Sequence, residues 1–531
     1  MQNLIRLGIA IAWFTLATIA RCGDPTGTDA RAECPGQELF TNAAVPRIQI
    51  EIAPADLEKL RRDSRVFVPA LIVEGTARYE DVAIHLKGSV GSFHSIDDKP
   101  ALTLDFARFR PGRTFHGLRR IHLNNSVEDP SYCNELIGSE LFRRAGIPTP
   151  RVTRAVVSLN LRKLGLYVLK EGFTEDFLSC YFKRIGGNLY EPDEGHDVNQ
   201  RLKKTSIQAP SRDRTVLKSL AKAALEPDLG RRWSRLERVL EVDRFIRFMA
   251  LEVMLCHRDG YCLARNNFRV YQDLDSGKMV FFPHGMDQLF GSAELPWTPH
   301  MAGLVAKAVL ETPQGKQIYS QTFRSLFEEL FKPELLTSRV DECVNPLRSA
   351  LDASEFKAVA AEAGLVKQRI LQRHGELERQ LSQARVPELE VTNGVGLLDG
   401  WSKADLPSSG QMDRVTGPEG IACLHIQTSS EASPSWRTKA ELKAGHYRFE
   451  GKVRVSGAKP LGFGAHQGAG LRIGGQARQS EDLLGDSDWR LLVESFDVSA
   501  GGAEVEFICE LRANKGEAWF DCGSLRVLQS R

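Results

Sequence analysis

CHRDGYCLARNNFRVYQDLDSGKMVFFPHGMDQLFG, residues 256–291, is the stretch around which the rest of the chain is organised. It has three parts. Asp259-Gly260 closes an apolar helix-like run, Asn266 and Asn267 follow within one short loop, and Asp287 lies just past an apolar strand-like run from Lys278 to Pro283. Two carboxylates and an amide oxygen, carried on loop, hairpin and loop, are the donor set of a magnesium–nucleotide site. One Asp can hold a hydroxyl nucleophile as base, while Asn and the other Asp supply the hard oxygen ligands that magnesium prefers. The plainer reading is turn chemistry: Asp259-Gly260 and Asp275-Ser276-Gly277 as turns, Asp287 as the cap of the next one. On spacing alone, turn chemistry is the better account.

The same residues resemble the signature of the CotH family, spore-coat-type kinases whose fold is an atypical relative of the protein kinases. Asp259, Gly260, Asn267, Phe268, Tyr271, Pro283, Asp287, Phe290 and Gly291 fit its pattern. Two positions depart. Ala264 stands where the first Asn is usual, with Asn266 two residues on, and Gly285 stands where the first acid of an Asp-x-Asp pair is usual. The resemblance implies Asp259 as catalytic base, Asn267 and Asp287 as metal ligands, and ATP with Mg2+ or Mn2+ as cofactors. Two further blocks carry it: Asn124-Asn125 with Asp129-Pro130-Ser131-Tyr132, and the hairpin Gly165 to Glu171. At Lys87-Gly88-Ser89-Val90-Gly91-Ser92 a Gly/Ser turn, followed by Lys99, aligns with a family turn; such a turn can lay backbone N–H groups against phosphate. Gly88, Ser89 and Lys99 are thereby cofactor-binding candidates, and Glu171, placed where a kinase hinge follows its strands, is a fourth. By analogy with protein kinases, Glu135 or Glu140 pairs with Lys99. The plain reading of Lys170 and Glu171 is solvated charge at a strand end, that of Asn124 and Asn125 is polar ties in a loop, and His257 reads as structural.

At 531 residues the chain is too long for one core, and length suggests roughly two to four domains. A hydrophobic share of 42% with 26% charged residues is that of globular protein and excludes a disordered chain. A formal net charge of +2 carries no polyelectrolyte signal, so nucleic acid is not expected as a partner. Residues 1–22 read as an export signal: Arg6, an apolar run from Leu7 to Ile19, and Thr18-Ile19-Ala20 before a break at Gly23-Asp24-Pro25. Arg21 before Cys22 argues against lipid anchoring, and no other run reaches the ~18 apolar residues of a membrane span. The expected location is the periplasm, the cell envelope or the exterior. The ten cysteines include no C-x-x-C pair, which argues against zinc. Cys22–Cys34, Cys256–Cys262 and a pair among Cys423, Cys509 and Cys522 are the candidate bridges.

Strands are expected over 47–52, 67–73, 79–86 and 100–106, then a helix opened by Asp129-Pro130 and running to about Arg144. Two strands over 153–159 and 165–169 follow, and a charged stretch, 192–240, reads as a lid or substrate-facing insertion. Helix Val242 to Leu255 delivers Asp259 at its end, with Val242, Phe245, Ile246, Met249 and Val253 on its apolar face. Helices near 301–310, 316–331, 334–351 and 355–383 complete an α-rich lobe. From about 395 the texture changes to strands between Gly turns, the pattern of a jelly-roll-like sandwich. Trp436, Trp489 and Trp519 are candidate sugar-stacking groups, set against the commoner reading of buried sandwich tryptophans. The fold class is therefore α+β: an atypical protein-kinase-like bilobal domain at 45–384 followed by an all-β sandwich domain at 395–531, with linkers at 23–44 and 385–394.

The leading function is an exported CotH-like kinase that transfers the ATP γ-phosphoryl group to Ser/Thr hydroxyls of a secreted or envelope protein. The alternative is a non-catalytic envelope or extracellular-matrix binding protein whose sandwich holds polysaccharide. Scarce ATP outside the cell, Ala264 and Gly285 lean towards it. A hydrolase built on Asp259 and Asp287 as a carboxylate pair leaves Asn267 and the Gly/Ser turn without a role.

Overall fold

The structure, a computed structural model, describes residues 34–42, 44–89, 91–193, 195–200, 202–205, 214–383, 386–461, 466–498 and 502–530. The signal-like segment 1–22, with Cys22, lies outside the described residues.

Period-two burial builds the first part. β1 (Arg47–Glu51) buries Ile48 and Ile50 and exposes Arg47, Gln49 and Glu51. With β2 (Val68–Glu74), β3 (Ala77–Lys87), β4 (Ala101–Asp105), β5 (Arg120–Asn124), β6 (Val152–Leu159) and β7 (Arg162–Glu171) it closes into a barrel in the order β1-β2-β3-β4-β5-β7-β6. The neighbours are antiparallel except at the closing seam, where β1 runs parallel to β6. Asn160 clips that seam. Its side chain accepts from the Ile52 N–H at 2.8 Å and donates to the Ile52 carbonyl at 2.8 Å. The backbone at Asn160 is left-handed, φ 45°, which Asn tolerates better than most residues.

Alternation also decides which charges face the rest of the molecule. In β7, Tyr167 and Leu169 belong to the barrel core while Leu166 and Val168 join the helical core outside. Lys170 therefore points outward with Leu166 and Val168, and Glu171 takes the opposite side. By the same count Lys87 of β3 and Asn124 of β5 share the outward face, since Leu86 and Leu123 point in.

That outward face is covered by helix Asn134–Arg144, which starts later than the sequence suggests. Asp129 does not open a helix at Pro130. Its carboxylate accepts from the N–H groups of Ser131 and Asn134, at 3.2 and 2.8 Å, across a turn in which Tyr132 is left-handed (φ 56°). Beyond it lies the helical body: Val242–Met254, Leu304–Glu311, Pro313–Leu330, Pro333–Val344 and the long Ala353–Gln383. The last buries Val359, Ala363, Val366, Ile370, Leu377 and Leu381, one apolar stripe at helical spacing. A small sheet of β8 (Leu189–Glu191), β9 (Lys203–Thr205), β10 (Phe268–Gln272) and β11 (Met279–Pro283), in the order β11-β10-β8-β9, packs beside it. The stretch read as a lid instead contributes helices Thr215–Ala224 and Leu229–Val239, whose Leu217, Leu220 and Leu236 are buried in the body; residues 206–213 lie outside the described part.

From Val395 on, all regular structure is strand apart from one short 3-10 turn, in a seven-stranded and a four-stranded sheet enclosing a separate apolar core. The last two strands, Lys515–Asp521 and Arg526–Gln529, are parted by a turn. Gly410–Thr416 and Ser435–Leu442 are strands as well. The α+β class with a terminal β-sandwich is what the sequence predicts. No described helix is long and apolar enough to cross a membrane.

Asn160→Ala removes both seam hydrogen bonds and leaves Ile52 backbone groups unpaired. We expect a loss of about 1–3 kcal/mol of barrel stability, read as faster amide exchange in β1 and β6 peptides and unchanged exchange in the sandwich. Equal exchange in both parts would contradict the clip.

Candidate functional site

The central stretch is held from behind by one buried carboxylate. Glu252, in the last turn of helix Val242–Met254, is fully buried; its two oxygens accept from the backbone N–H groups of Tyr261 (3.0 Å) and Cys262 (2.7 Å). His257 stands 3.5 Å from the same carboxylate. Burial alone lowers the pKa of this ring, but the neighbouring Glu252 outweighs it and holds His257 above the ordinary histidine value. Its Nε2 donates to the Gly285 carbonyl at 3.0 Å. Gly260 is forced by space: a Cβ there would lie 2.6 Å from a Glu252 oxygen and 2.7 Å from His257 Nδ1. Asp259, between them, is half-buried, and its carboxylate has no hydrogen-bond partner among the described residues.

Asn267 reaches the same Gly285 carbonyl from the other side, donating from Nδ2 at 3.1 Å. Anchoring the nitrogen leaves the amide oxygen free to act as a ligand. Gly285 itself is left-handed, φ 52°, and a Cβ there would sit 2.6 Å from Asn267 Nδ2. The departure from an acid at this position therefore has a steric cause: the Asn267 amide occupies the side chain's space. Two residues on, Asp287 is half-buried and its backbone carbonyl accepts from Asn134 Nδ2 at 2.7 Å. Burial, then repulsion from Glu135, push the Asp287 carboxyl up to about 6, against weaker pulls from its own backbone N–H, His257 and Lys170. Asn267, and His257 two residues before Asp259, are thus both tied to the Gly285 carbonyl, two residues before Asp287.

The charged partners are not the ones the sequence reading named. Glu135, buried on helix Asn134–Arg144, pairs with Lys170 of β7 rather than with Lys99. Asn124 Nδ2 donates to the second Glu135 oxygen at 3.0 Å, and Lys87 Nζ donates to Asn124 Oδ1. Burial works to raise the Glu135 pKa, yet Lys170 and Lys87 hold it below the usual carboxylate value. Lys87, buried and beside Lys170, is pushed down to about 8. His284 Nδ1 lies 3.3 Å from Lys170 Nζ; burial and then that cation hold the ring well below the usual histidine pKa, so it is neutral and can accept. Lys99 donates instead to Tyr132 Oη at 2.6 Å and lies over the rings of Tyr132 and Tyr167. Glu140 pairs with Arg339 at 2.7 Å.

Glu171 is not at the cleft either: it points to the other side of β7, where the buried Arg151 donates to it from Nε at 3.0 Å. Gly88 (φ 103°) and Ser89 open the turn directly after Lys87, but the Ser89 N–H is already directed at Ser92 Oγ (3.2 Å), so one expected phosphate donor is spent inside the turn. Asn125 Nδ2 braces that turn through the Ser92 and Lys99 carbonyls. Trp436 is buried, with Nε1 donating to the His425 carbonyl at 3.1 Å, which removes it from the sugar-stacking candidates. Trp489 and Trp519 remain half-buried. Lys87, Lys170 and Asn134 were missed. The signal for the first two was strand parity, which sends both to the face that receives Glu135.

Comparison with known proteins places these features. The profile of the family described as "CotH kinase protein" matches residues 84–380. The chain is similar to the inner spore coat protein H of Bacillus subtilis (strain 168), at 22% identity over 56% of this chain and 85% of the relative. It is similar to invasin CotH2 of Rhizopus delemar at 23% identity, over 41% of this chain and 42% of that protein. Among solved structures, the proinflammatory kinase CtkA of Helicobacter pylori covers 55% of this chain and 96% of its own, at 9% identity and a TM-score of 0.26. The sandwich region is matched by TmCBM61, solved with β-1,4-galactotriose, over 25% of this chain and 91% of that one, at 13% identity and a TM-score of 0.20. With the family profile spanning more than half of its length, the chain belongs to the CotH kinase family.

Proposed function

We propose that residues 45–384 bind ATP with a divalent cation and transfer the γ-phosphoryl group to a Ser or Thr hydroxyl of an exported protein, and that 395–531 form a separate sandwich domain. The observation that supports this reading is that Asn267 and, through His257, the loop of Asp259 both tie to the Gly285 carbonyl two residues before Asp287, which the Lys170–Glu135 pair adjoins electrostatically. The oxygens fit magnesium or manganese: an amide oxygen whose nitrogen is tied elsewhere, and a carboxylate destabilised by burial. When bound, such a cation neutralises phosphate charge. The protein's own part is positioning and proton transfer. Asp259, open and unpartnered, accepts the proton of the acceptor hydroxyl; Lys87 and Lys170 set positive charge towards the phosphates; Glu135 fixes Lys170. Export of the chain, as for relatives named as a spore coat protein and an invasin, belongs to the same proposal. So does a polysaccharide partner for the sandwich, through Trp489 and Trp519.

Asp259→Asn should lower phosphoryl transfer by roughly 10²–10⁴-fold while nucleotide affinity stays within about threefold of wild type, measured with labelled ATP and by thermal shift. If wild type neither labels itself nor a mixed acceptor and shows no nucleotide-dependent melting shift, the proposal fails.

Asp287 gives an experiment of opposite sign. Its folded pKa, about 6, lies above the unfolded value near 3.9. The folded state therefore binds this proton more tightly, and stability falls as pH rises through the window from about 4 to 6. Asp287→Asn should melt above wild type at pH 7.5 in the absence of metal, with the gap closing below pH 4, and should lose the cation-dependent nucleotide shift. An unchanged melting temperature at pH 7.5 would contradict the burial of this charge.

Gly285→Asp restores the acid that the family pattern has here. It should lower both melting temperature and nucleotide affinity, because the new side chain displaces the Asn267 amide. Increased affinity in the same titration would overturn the steric account.

A further inference from the structure

The nine described cysteines are all thiols, and their neighbours differ from the sequence reading. Cys256 and Cys262 do not face each other: Cys256 Sγ donates to the Ser292 carbonyl at 3.1 Å, and Cys262 lies beside the Glu252 carboxylate. Two pairs do meet: Cys34 with Cys180, both only half-buried, and Cys133 with Cys343. Cys133 immediately precedes helix Asn134–Arg144, and Cys343 sits in the last turn of helix Pro333–Val344. Their side chains are in hydrogen-bond contact, and both are fully buried. The two helices are already joined by the Arg339–Glu140 pair at 2.7 Å, and the buried Arg154 donates to the Cys343 carbonyl. Two buried sulfurs in contact, one beside each of two packed helices, are a pair placed for joining.

We propose that Cys133 and Cys343 form a disulfide that fastens the helix carrying Asn134 and Glu135 to the helical body. The chemistry of the pair suits exchange. In the folded chain the Cys133 thiol and the Arg154 and Arg339 cations hold Cys343 down at about 7; while the chain is still folding, either thiol can open the exchange, written here with Cys343 first. The oxidant is a disulfide carrier, either oxidised glutathione or a protein disulfide of the compartment into which the chain is exported. Cys343 attacks one carrier sulfur and expels the other as a thiol; Cys133 then displaces the mixed disulfide and releases the second thiol. Two electrons and two protons pass from the cysteine pair to the carrier, which leaves as two thiols. Because both sulfurs are buried in the finished fold, the exchange belongs to folding, before the core closes. The bridge encloses residues 133–343, a loop that contains Asp259, Asn267 and Asp287, and such long loops gain most from closure. It holds in place the helix that grips the Asp287 carbonyl through Asn134 and Lys170 through Glu135.

The test uses the full chain secreted into an oxidising compartment, unfolded without reductant in the presence of an alkylating reagent, and mapped by mass spectrometry. The expected result is a linked Cys133–Cys343 peptide pair, with Cys256 and Cys262 alkylated in full as internal reference. Reduction of the folded protein should lower its melting temperature by about 5 °C or more, and by clearly less in Cys343→Ala. Full alkylation of Cys133 and Cys343, or linkage of either to another cysteine, overturns the proposal. If Cys343→Ala does not fold, the peptide map of wild type decides alone.

Discussion

A buried carboxylate with nothing to neutralise it costs several kcal/mol, and the active-site region of this chain is arranged around how Glu252 avoids that cost. Its helix ends two residues later, so its oxygens can reach forward only to the backbone that follows. They do so at Tyr261 and Cys262, which fixes where the intervening loop turns and so where Asp259 emerges. His257 stands against the same carboxylate, which raises its pKa, and carries the constraint across to the Gly285 carbonyl. That carbonyl also receives Asn267, so one oxygen links the loop of Asp259 to the segments of Asn267 and Asp287. The glycine at 260 and the glycine at 285 both follow from this crowding: each lies where a Cβ would strike one of these side chains.

A second buried charge works from the opposite side. Arg373, fully buried in the long helix Ala353–Gln383, donates to the Val253 and Met254 carbonyls at 3.0 and 3.2 Å and to the Ala293 carbonyl at 2.7 Å. The first two are carbonyls in the last turn of the Glu252 helix, where a cation is favoured by the helix dipole. The third lies just past Gly291. One guanidinium thus grips the chain before and after the stretch 256–291, so the loops between are free to follow Glu252 and His257 while their ends stay fixed.

Much of this was legible in the sequence, and the losses have physical causes. Barrel strands announced themselves by alternation, as at Ile48 and Ile50, and the long helix by its apolar stripe. The proposed grouping of Asp259, Asn267 and Asp287 came only through family resemblance, since spacing alone favoured turns. Lys170 was read as a solvated strand end because charge at a strand terminus usually is; burial of a strand on both faces cannot be seen without knowing that a helix lies over it. Lys99 was chosen for its closeness in sequence to the Gly/Ser turn, yet Asn125 folds that segment back so that its ammonium meets Tyr132. The helix expected at Pro130 was delayed because the Asp129 carboxylate caps two N–H groups across a left-handed turn. Strand Gly410–Thr416 escaped notice for want of a pattern: Met412 is its one fully buried side chain.

The charges around Asp287 do not balance evenly. Lys170 and Lys87 are matched by Glu135, which Asn124 holds between them, so that group is satisfied within the protein. Asp287 is left over. It sits close enough to Glu135 to be repelled by it, is drawn out of water by the helix that covers it, and gains only weak relief from His257 and Lys170. A fold that needed only stability would place an amide or an apolar group there, as buried unpaired charge is a cost with no internal return. The Asn267 oxygen beside it, its nitrogen tied to Gly285, is likewise unspent. A half-buried carboxylate raised by its surroundings, near an amide oxygen whose nitrogen is spent, with Lys87 and Lys170 gathered on Glu135 nearby, is the donor chemistry on which the proposed function rests.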